Sequence, residues 1–410
     1  MSRYLKVFLL IGISLARLQP AFSQNLSLDS VYALIDKNPS LLAYEAAIKA
    51  KDMYATGARS LDAPRLSAGQ YQTPYQLRPS IGSFMISAEQ QFTNPVKRRA
   101  KESYLKGLSK VTAGERSALR NELFSQATQA YDDRIILEKK ATVLQESGAL
   151  LSYILKDAKI KLTYGKEHLS AIYSLSADTY TLENTREQLR NEIEQKTILL
   201  NTLMSRPAST AFLVDTVLRP HTYEKESTDS VTLILARSDI RQVSSNLALR
   251  KLSINMELSK RLPDFGIQVA HMLSYGGARN QYILMGSLTL PFLPWSSREY
   301  KANLKGLQYE ASELEDQQHD LYNQARGRIA GIRINLASKK KQQLAYGQHI
   351  IPELTNSYKT ALRAYTQNTG DLSSVLITLR LLQTSRLEAL TLLQDIIQLE
   401  VSYARENERY

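Results

Sequence analysis

Apolar residues along this chain recur with two different periods. Leu175, Leu182, Leu189 and Leu203 fall on a seven-residue step, with Ile193 and Leu200 filling the alternate position. That is the pattern of a helix packed along a seam. Leu372, Leu376, Leu379, Leu390, Leu393 and Ile397 follow at three- and four-residue steps. Elsewhere the period is two. Tyr282, Leu284, Gly286, Leu288 and Leu290 alternate with Ile283, Met285, Ser287 and Thr289, and Phe265, Ile267 and Val269 alternate with Gly266, Gln268 and Ala270. Phe84, Ile86 and Ala88 alternate with Met85, Ser87 and Glu89, while Arg65–Tyr71 is the least regular of four predicted strands. Gly276-Gly277 and the Pro74–Pro79 segment are the expected hairpin turns.

Each strand pair is set between helices. A helix with Leu41, Leu42 and Ile48 ends at Pro64, and one with Ile240, Val243, Leu247 and Leu252 ends at Pro263. Two long stretches then lack the strongest helix breaker. No proline lies between Pro95 and Pro207, and only Pro352 lies beyond Pro294. One helix from Lys97 to Thr163 would be roughly 100 Å long at 1.5 Å per residue. A second helix follows the Tyr164-Gly165 break. Helical hairpins of this length cannot bury themselves in a compact globule; they are expected to project as a rod or to join others like them.

The order of elements occurs twice. Pro64 and Pro263, Pro95 and Pro294, and Lys106-Gly107-Leu108 and Lys305-Gly306-Leu307 are all separated by 199 residues. Asp29-Ser30-Val31 recurs as Asp229-Ser230-Val231, and Tyr164-Gly165 followed by Leu169-Ser170 answers Tyr365, Gly370 and Leu372-Ser373. Ordered matches at nearly constant offset indicate two tandem repeats. The expected organisation is a first repeat over 24–205 (strand pair about 65–92, long helices about 97–205), a linker over 206–225 and a second repeat over 226–410 (strand pair about 264–290, long helices about 296–408). Pro64, Pro95, Pro263 and Pro291/Pro294 stand at the four predicted helix–strand junctions, where a fixed φ and a missing donor end one element before the next begins.

Composition removes several function classes. There is no cysteine, hence no disulfide, thiolate metal site or cysteine nucleophile. His168, His221, His271, His319 and His349 lie too far apart in sequence to form a local metal pair, and phosphate-loop, dinucleotide and nucleophile-elbow motifs are lacking. No enzyme, metal or cofactor is expected. Residues 1–23 read as a secretory signal: Arg3 and Lys6, an apolar run from Val7 to Ala16, then Ala21-Phe22-Ser23 before Gln24. Without a cysteine after the run, lipoprotein attachment is not expected. Removing Arg3, Lys6 and Arg17 takes the net charge from +12 to +9. No apolar stretch long enough for a membrane helix follows, which leaves a soluble exported protein or a closed barrel of strands. Four strands per chain are too few to close a membrane barrel; three chains supply twelve.

In this arrangement the sequence resembles the TolC-type outer-membrane efflux proteins over nearly its whole mature length. The likeness is carried by Leu262-Pro263-Asp264-Phe265 entering the third strand, Leu288-Thr289-Leu290-Pro291 leaving the fourth, and Ile350-Ile351-Pro352 with Tyr365 and Gly370. The resemblance implies a mainly α chain with a small β-barrel portion, long antiparallel coiled-coil helices and a homotrimer. Its twelve-stranded barrel would sit in outer-membrane lipid of a Gram-negative-type bacterium, continuous with a helical periplasmic tunnel. It further implies a periplasmic adaptor protein and an inner-membrane transporter as partners, with Tyr164, Gly165, Tyr365 and Gly370 at the tips that meet the adaptor. Family members often carry carboxylates that narrow the pore near the second tip. The matching run here is Ser374-Val375-Leu376-Ile377, with Asp371 three residues earlier. Asp371, Ser374, Leu376 and Ile377 are therefore the aperture candidates, closure is expected from packing that includes Val375 and Leu379, and Asp371 reads equally as a helix cap. Trp295 beside Pro294 suits a membrane interface or a core.

Three rivals stand beside this reading, one of them a periplasmic enzyme for which the sequence nominates no residues. A soluble exported coiled-coil scaffold or adaptor would explain the seven-residue steps but not two symmetrical hairpins bounded by prolines. Nucleic-acid binding is suggested by the basic charge and by Lys339-Lys340-Lys341, but that run reads as a solvated helix face in an exported chain.

Overall fold

The computed structural model describes residues 24–75, 80–215, 217–218 and 237–407 of the 410. The segment read as an export signal, Pro79, Pro220 and the Asp229-Ser230-Val231 anchor lie outside the described residues. In chain order the elements are β1 (Gln24–Leu26), α1 (Leu28–Ile35), α2 (Pro39–Gly57), β2 (Arg65–Tyr71), β3 (Ser83–Phe92), α3 (Pro95–Thr163), α4 (Leu169–Leu203) and β4 (Phe212–Val214). They continue as α5 (Ser238–Ser259), β5 (Phe265–Ser274), β6 (Gln281–Leu288), α6 (Arg298–Ala345), a π-helical turn (Tyr346–Ile350), α7 (Ile351–Thr366) and α8 (Leu372–Glu406). The fold is mainly helical with a small sheet portion. The chain forms two compact units, one from 40–119 and 228–327, the other from 1–39, 120–227 and 328–410. Each draws on both tandem halves.

The first unit holds an antiparallel sheet in the order β2-β3-β5-β6. In its register Phe84 faces Leu273, Ile86 faces His271, Ala88 faces Val269 and Phe92 faces Phe265. Val269 in turn pairs with Leu284, and Phe265 with Leu288. A period of two puts all of these on one side of the sheet. Phe265, Ile267, Val269, Leu273, Tyr282, Leu284 and Leu288 are all exposed there. The opposite side carries Met85, Ser87, Glu89, Gln91, Gly266, Gln268, Ala270, Met272, Ile283 and Met285, of which Ser87, Gly266, Ala270 and Met272 are buried. The apolar side of this sheet faces outward.

Prolines punctuate its borders. Pro64 precedes β2, Pro95 is the first residue of α3, Pro263 stands before β5, and Pro291 and Pro294 fall between β6 and α6. Proline suits the first helical position because its missing N–H would have no intrahelical partner. Asp264 ties these borders together. Its carboxylate accepts from the Asn94 backbone N–H (2.9 Å) and from Lys97 Nζ (2.6 Å), and its carbonyl accepts from Thr289 N–H (3.0 Å). Trp295 beside them is 78% exposed, which rules out a core role within the chain.

The second unit has its own core. Phe212–Val214, inside the segment read as a linker, forms a strand parallel to β1. The Tyr131 hydroxyl stitches the pair, donating to Leu26 O (2.8 Å) and accepting from Asp215 N–H (2.9 Å). Arg134 donates to Phe212 O (2.6 Å) and lies over the Phe212 ring. Val31, Ile35, Phe124, Ala127, Ile135, Leu200 and Leu203 close this core. Helix α3 is buried on all sides from Ala130 to Leu137, so its polar residues there require partners. Asp133 accepts from Lys196 (2.7 Å), Gln394 (2.8 Å) and Gln398 (3.0 Å), and Glu400 pairs with Lys340 (3.1 Å). Asp132 Oδ2 has no hydrogen-bond partner. Burial pushes the Asp132 carboxyl up to about 7, helped by the charges of Asp133 and Glu400. Lys339 also pairs with Asp395 (2.7 Å), so two residues of the lysine run are spent on internal ion pairs.

Asp132 makes stability depend on pH. A carboxyl that binds its proton more tightly when folded contributes fully below its unfolded value near 4, and that contribution is lost as pH rises through the folded value. Thermal melts of the purified protein should show stability falling from pH 4 to pH 7 and levelling above it, by at most roughly 4 kcal/mol. Asp132→Asn should flatten this slope and raise the melting temperature at pH 8.

Candidate functional site

The seven-residue steps of the second unit converge on one end of four helices. On α3 the buried positions include Leu137, Leu144, Leu151 and Ala158, on α4 Leu175, Leu182 and Leu189, and on α7 Tyr358 and Tyr365. Within these series every interval is seven, and Ile154 and Ile172 each stand three residues from a member in the alternate seam position. Helix α8 adds Leu372, Val375, Leu376, Leu379 and Leu382 to the same cluster. A strict seven-residue repeat keeps one seam facing the partner as helices wind left-handed about each other. The helices end at two turns, α3 to α4 and α7 to α8, and their residues form the candidate site.

The turns share one hydrogen-bond pattern. At the first, Lys166 N–H donates to Lys161 O (2.9 Å) and Gly165 N–H to Leu162 O (3.0 Å), with Gly165 at φ +66. At the second, Thr369 N–H donates to Ala364 O (2.9 Å) and Asn368 N–H to Tyr365 O (3.1 Å), with Asn368 at φ +58. Both are Schellman terminations, in which a left-handed residue satisfies carbonyls left open at the helix end. The counterpart of Gly165 is therefore Asn368 and not Gly370. Gly370 is needed for space: a Cβ there would lie 2.9 Å from Ala364 Cβ. Asp371 is the N-cap of α8, its Oδ1 accepting from Ser374 N–H at 2.7 Å. That bond to Ser374 holds the Asp371 carboxyl below its ordinary value.

Lys161 and Tyr365 join the two turns. Lys161 Nζ donates to Tyr365 O (2.7 Å), stands 3.6 Å above the Tyr365 ring centroid and lies 3.6 Å from Asp157. The Tyr365 hydroxyl donates to Glu167 Oε2 (3.3 Å). Burial, with the nearby charges of Glu167 and Asp157, holds that hydroxyl well above the usual tyrosine range, so it remains a donor. One lysine thus combines an ion pair, a bond to an open helix-end carbonyl and a cation–π contact, an arrangement favoured where water is partly excluded. Below the turns Arg380 grips Asp178 (2.7 Å) and Arg386 meets Glu146 (3.3 Å), tying α8 to α4 and α3.

No protein-family model and no curated protein matches the sequence. Solved structures do match. VceC of Vibrio cholerae, an outer-membrane protein, is 15% identical with a TM-score of 0.74, covering 93% of this chain and 95% of that one. The CmeC outer-membrane channel of Campylobacter jejuni gives 14%, 0.76, 93% and 85%. The MtrE outer-membrane channel of Neisseria gonorrhoeae gives 13%, 0.72, 93% and 88%. This is the TolC-type fold.

Against the TolC-type fold the candidate residues sort by exposure. Tyr164, Gly165 and Gly370 lie exposed at the turns, whereas Tyr365 is buried beneath Lys161. Ser374 and Ile377 point outward, Ile377 being 54% exposed. Leu376, with Val375 and Leu379, packs inside the chain's own helical core at 5% exposure. Packing by these three residues holds the four helices together, and only Ile377 and Leu381 offer apolar surface outward at this end of α8. Sequence reasoning missed Lys161 and Asn368. A basic residue in the last helical turn and an asparagine just past it were the available signals.

Leu376→Ser is accordingly expected to lower stability by about 3 kcal/mol, through lost burial and a buried hydroxyl. Ile377→Ser should change it by less than about 0.5 kcal/mol. Chemical denaturation of both variants measures the difference.

Proposed function

We propose that this chain is the outer-membrane channel of a tripartite efflux or export system, conducting solute from an inner-membrane pump and periplasmic adaptor to the exterior. The observation that carries the reading is the four-stranded sheet whose apolar side is exposed. Water does not favour such a face, but lipid does. Among the described residues β2 and β6 are each paired on one edge only. An open edge in lipid leaves backbone groups without partners, so several copies must close one barrel. Three chains in a homotrimer give twelve strands, an even number in the usual range. No helix of the described residues is long and apolar enough to cross a membrane, so the strands carry the insertion. Residues 1–23 then serve as the export signal, and the tandem halves supply one strand pair each.

In this reading the turn end of α3/α4 and α7/α8 is the periplasmic end, where Tyr164, Gly165 and Gly370 meet the adaptor. Lys161 acts there as the clasp that keeps the two helix hairpins together when the channel is at rest. Asp371 is occupied as a cap, so no acidic ring closes the aperture. The outward apolar surface of an inserted barrel also separates this proposal from a soluble scaffold, which would have to hide Phe265, Val269, Leu284 and Leu288.

The protein extracted in detergent should run near three times the mass of the mature chain and conduct ions in planar bilayers. A monodisperse monomer that keeps its β signal would overturn the reading. Lys161→Ala should raise resting conductance several-fold without loss of the trimer, because it removes the clasp and leaves the seven-residue seam in place. Gly165→Val should impair transport while insertion remains, since a β-branched residue resists the left-handed turn.

A further inference from the structure

The end that carries the two turns has an unbalanced charge. Lys156, Lys159 and Lys166 around the first turn, and Lys359 and Arg363 around the second, are all exposed. None of these side chains has an ion-pair or hydrogen-bond partner among the described residues. The two turns are held side by side by the Lys161–Tyr365 contact, so the five cations flank one location. On α3, Lys156 and Lys159 are three residues apart, and on α7, Lys359 and Arg363 are four apart, spacings that put each pair on one helix face.

Carboxylates offset them only in part. Of the four acids in the same segments, Asp157 faces Lys161, Glu167 accepts from the Tyr365 hydroxyl and the His168 N–H, and Asp371 caps α8. Glu353 alone is exposed without such a role. Helix α4 also starts here, with no side-chain cap on its first N–H groups, which adds a partial positive charge. Only Asp157 is paired with a cation, so five solvent-facing cations stand against the three carboxylates of Glu167, Glu353 and Asp371, a net positive excess.

We infer that this end is a cationic mouth that makes the channel prefer anionic solutes. The inference rests on the channel reading above and adds the charge class of what passes. Fixed charges of one sign at a constriction concentrate ions of the other sign, and rings of lysine and arginine select anions. In a trimer the five cations occur three times around one opening. At an ionic strength of 0.1 M the screening length is about 10 Å, comparable with the dimensions of such a mouth.

The test is the reversal potential of the full-length protein in planar bilayers, under a KCl gradient at low ionic strength. The chloride-to-potassium permeability ratio should exceed one, and should fall at least about threefold in a variant carrying Lys156→Glu, Lys159→Glu, Lys166→Glu and Arg363→Glu. The same four positions changed to Gln should give an intermediate ratio; this milder variant supplies the comparison if charge reversal prevents assembly. Potassium preference in the unaltered channel, or a ratio unmoved by the Gln variant, would overturn the inference while leaving the channel reading intact. Absence of any conductance from a correctly assembled trimer would overturn both.

Discussion

Backbone polar groups in a sheet must find partners, and among the described residues the sheet of this chain leaves two edges without them. Everything about its side chains makes the problem sharper. Phe265, Ile267, Val269, Leu273, Tyr282, Leu284 and Leu288 share one exposed face, so hiding the edges in water would still strand an oily surface. Lipid removes the second difficulty and makes the first intolerable, since nothing in hydrocarbon can accept or donate a hydrogen bond. Under the channel proposal, closure through further copies satisfies both conditions. In the proposed reading the oligomer is thereby a requirement of hydrogen bonding.

The helical unit answers a different demand. Four helices meet through residues at intervals of seven, and this seam hides Leu376, Val375 and Leu379 from any surface they could otherwise line. A core built this way is stiff along its length and stops where its caps stop. Both hairpins end in the same termination, one built on glycine and one on asparagine, the two residues that enter the left-handed region most readily. Lys161 then bridges the terminations, so the geometry of one turn is passed directly to the other.

Much of this was legible in the chain. Period-two alternation located β3, β5 and β6, because each has one apolar face whatever lies against it. The proline-free stretches marked α3 and the long helices of the second half, and the prolines themselves stand at the borders of the sheet. The seven-step leucines of α4 pointed to a seam, although Leu137, Leu144, Leu151 and Ala158 on α3 carry the same step and were not picked out. Less legible was whatever depends on tertiary contact. Phe212–Val214 is three residues long and becomes a strand only because β1, Tyr131 and Arg134 hold it. The pairing of Gly165 with Gly370 followed residue type, whereas the backbone conformation belongs to Asn368. Sequence spacing likewise could not say which side of α8 turns inward, so Leu376 was grouped with Ile377 although the two point in opposite directions.

The carboxylates show how local structure sets electrostatics at a distance. The chain holds 40 acidic residues against 52 lysines and arginines, a modest excess spread over 410 positions. At the turns that excess becomes local, because acids there are short-range structural elements: a cap, a hydroxyl acceptor and a lysine partner. Each of these roles holds the carboxylate against a particular N–H, O–H or ammonium of the same turns. The exposed lysines and Arg363 have no comparable task, and their long side chains keep the charged group in water. Only Asp157 is cancelled by a neighbouring cation, and Glu167 and Asp371 keep their charge against neutral donors, so it is the excess of solvated cations over these acids that is felt over a screening length. The sign of the potential at this end thus follows from which residues the turns need, and would persist if the overall composition were made neutral elsewhere.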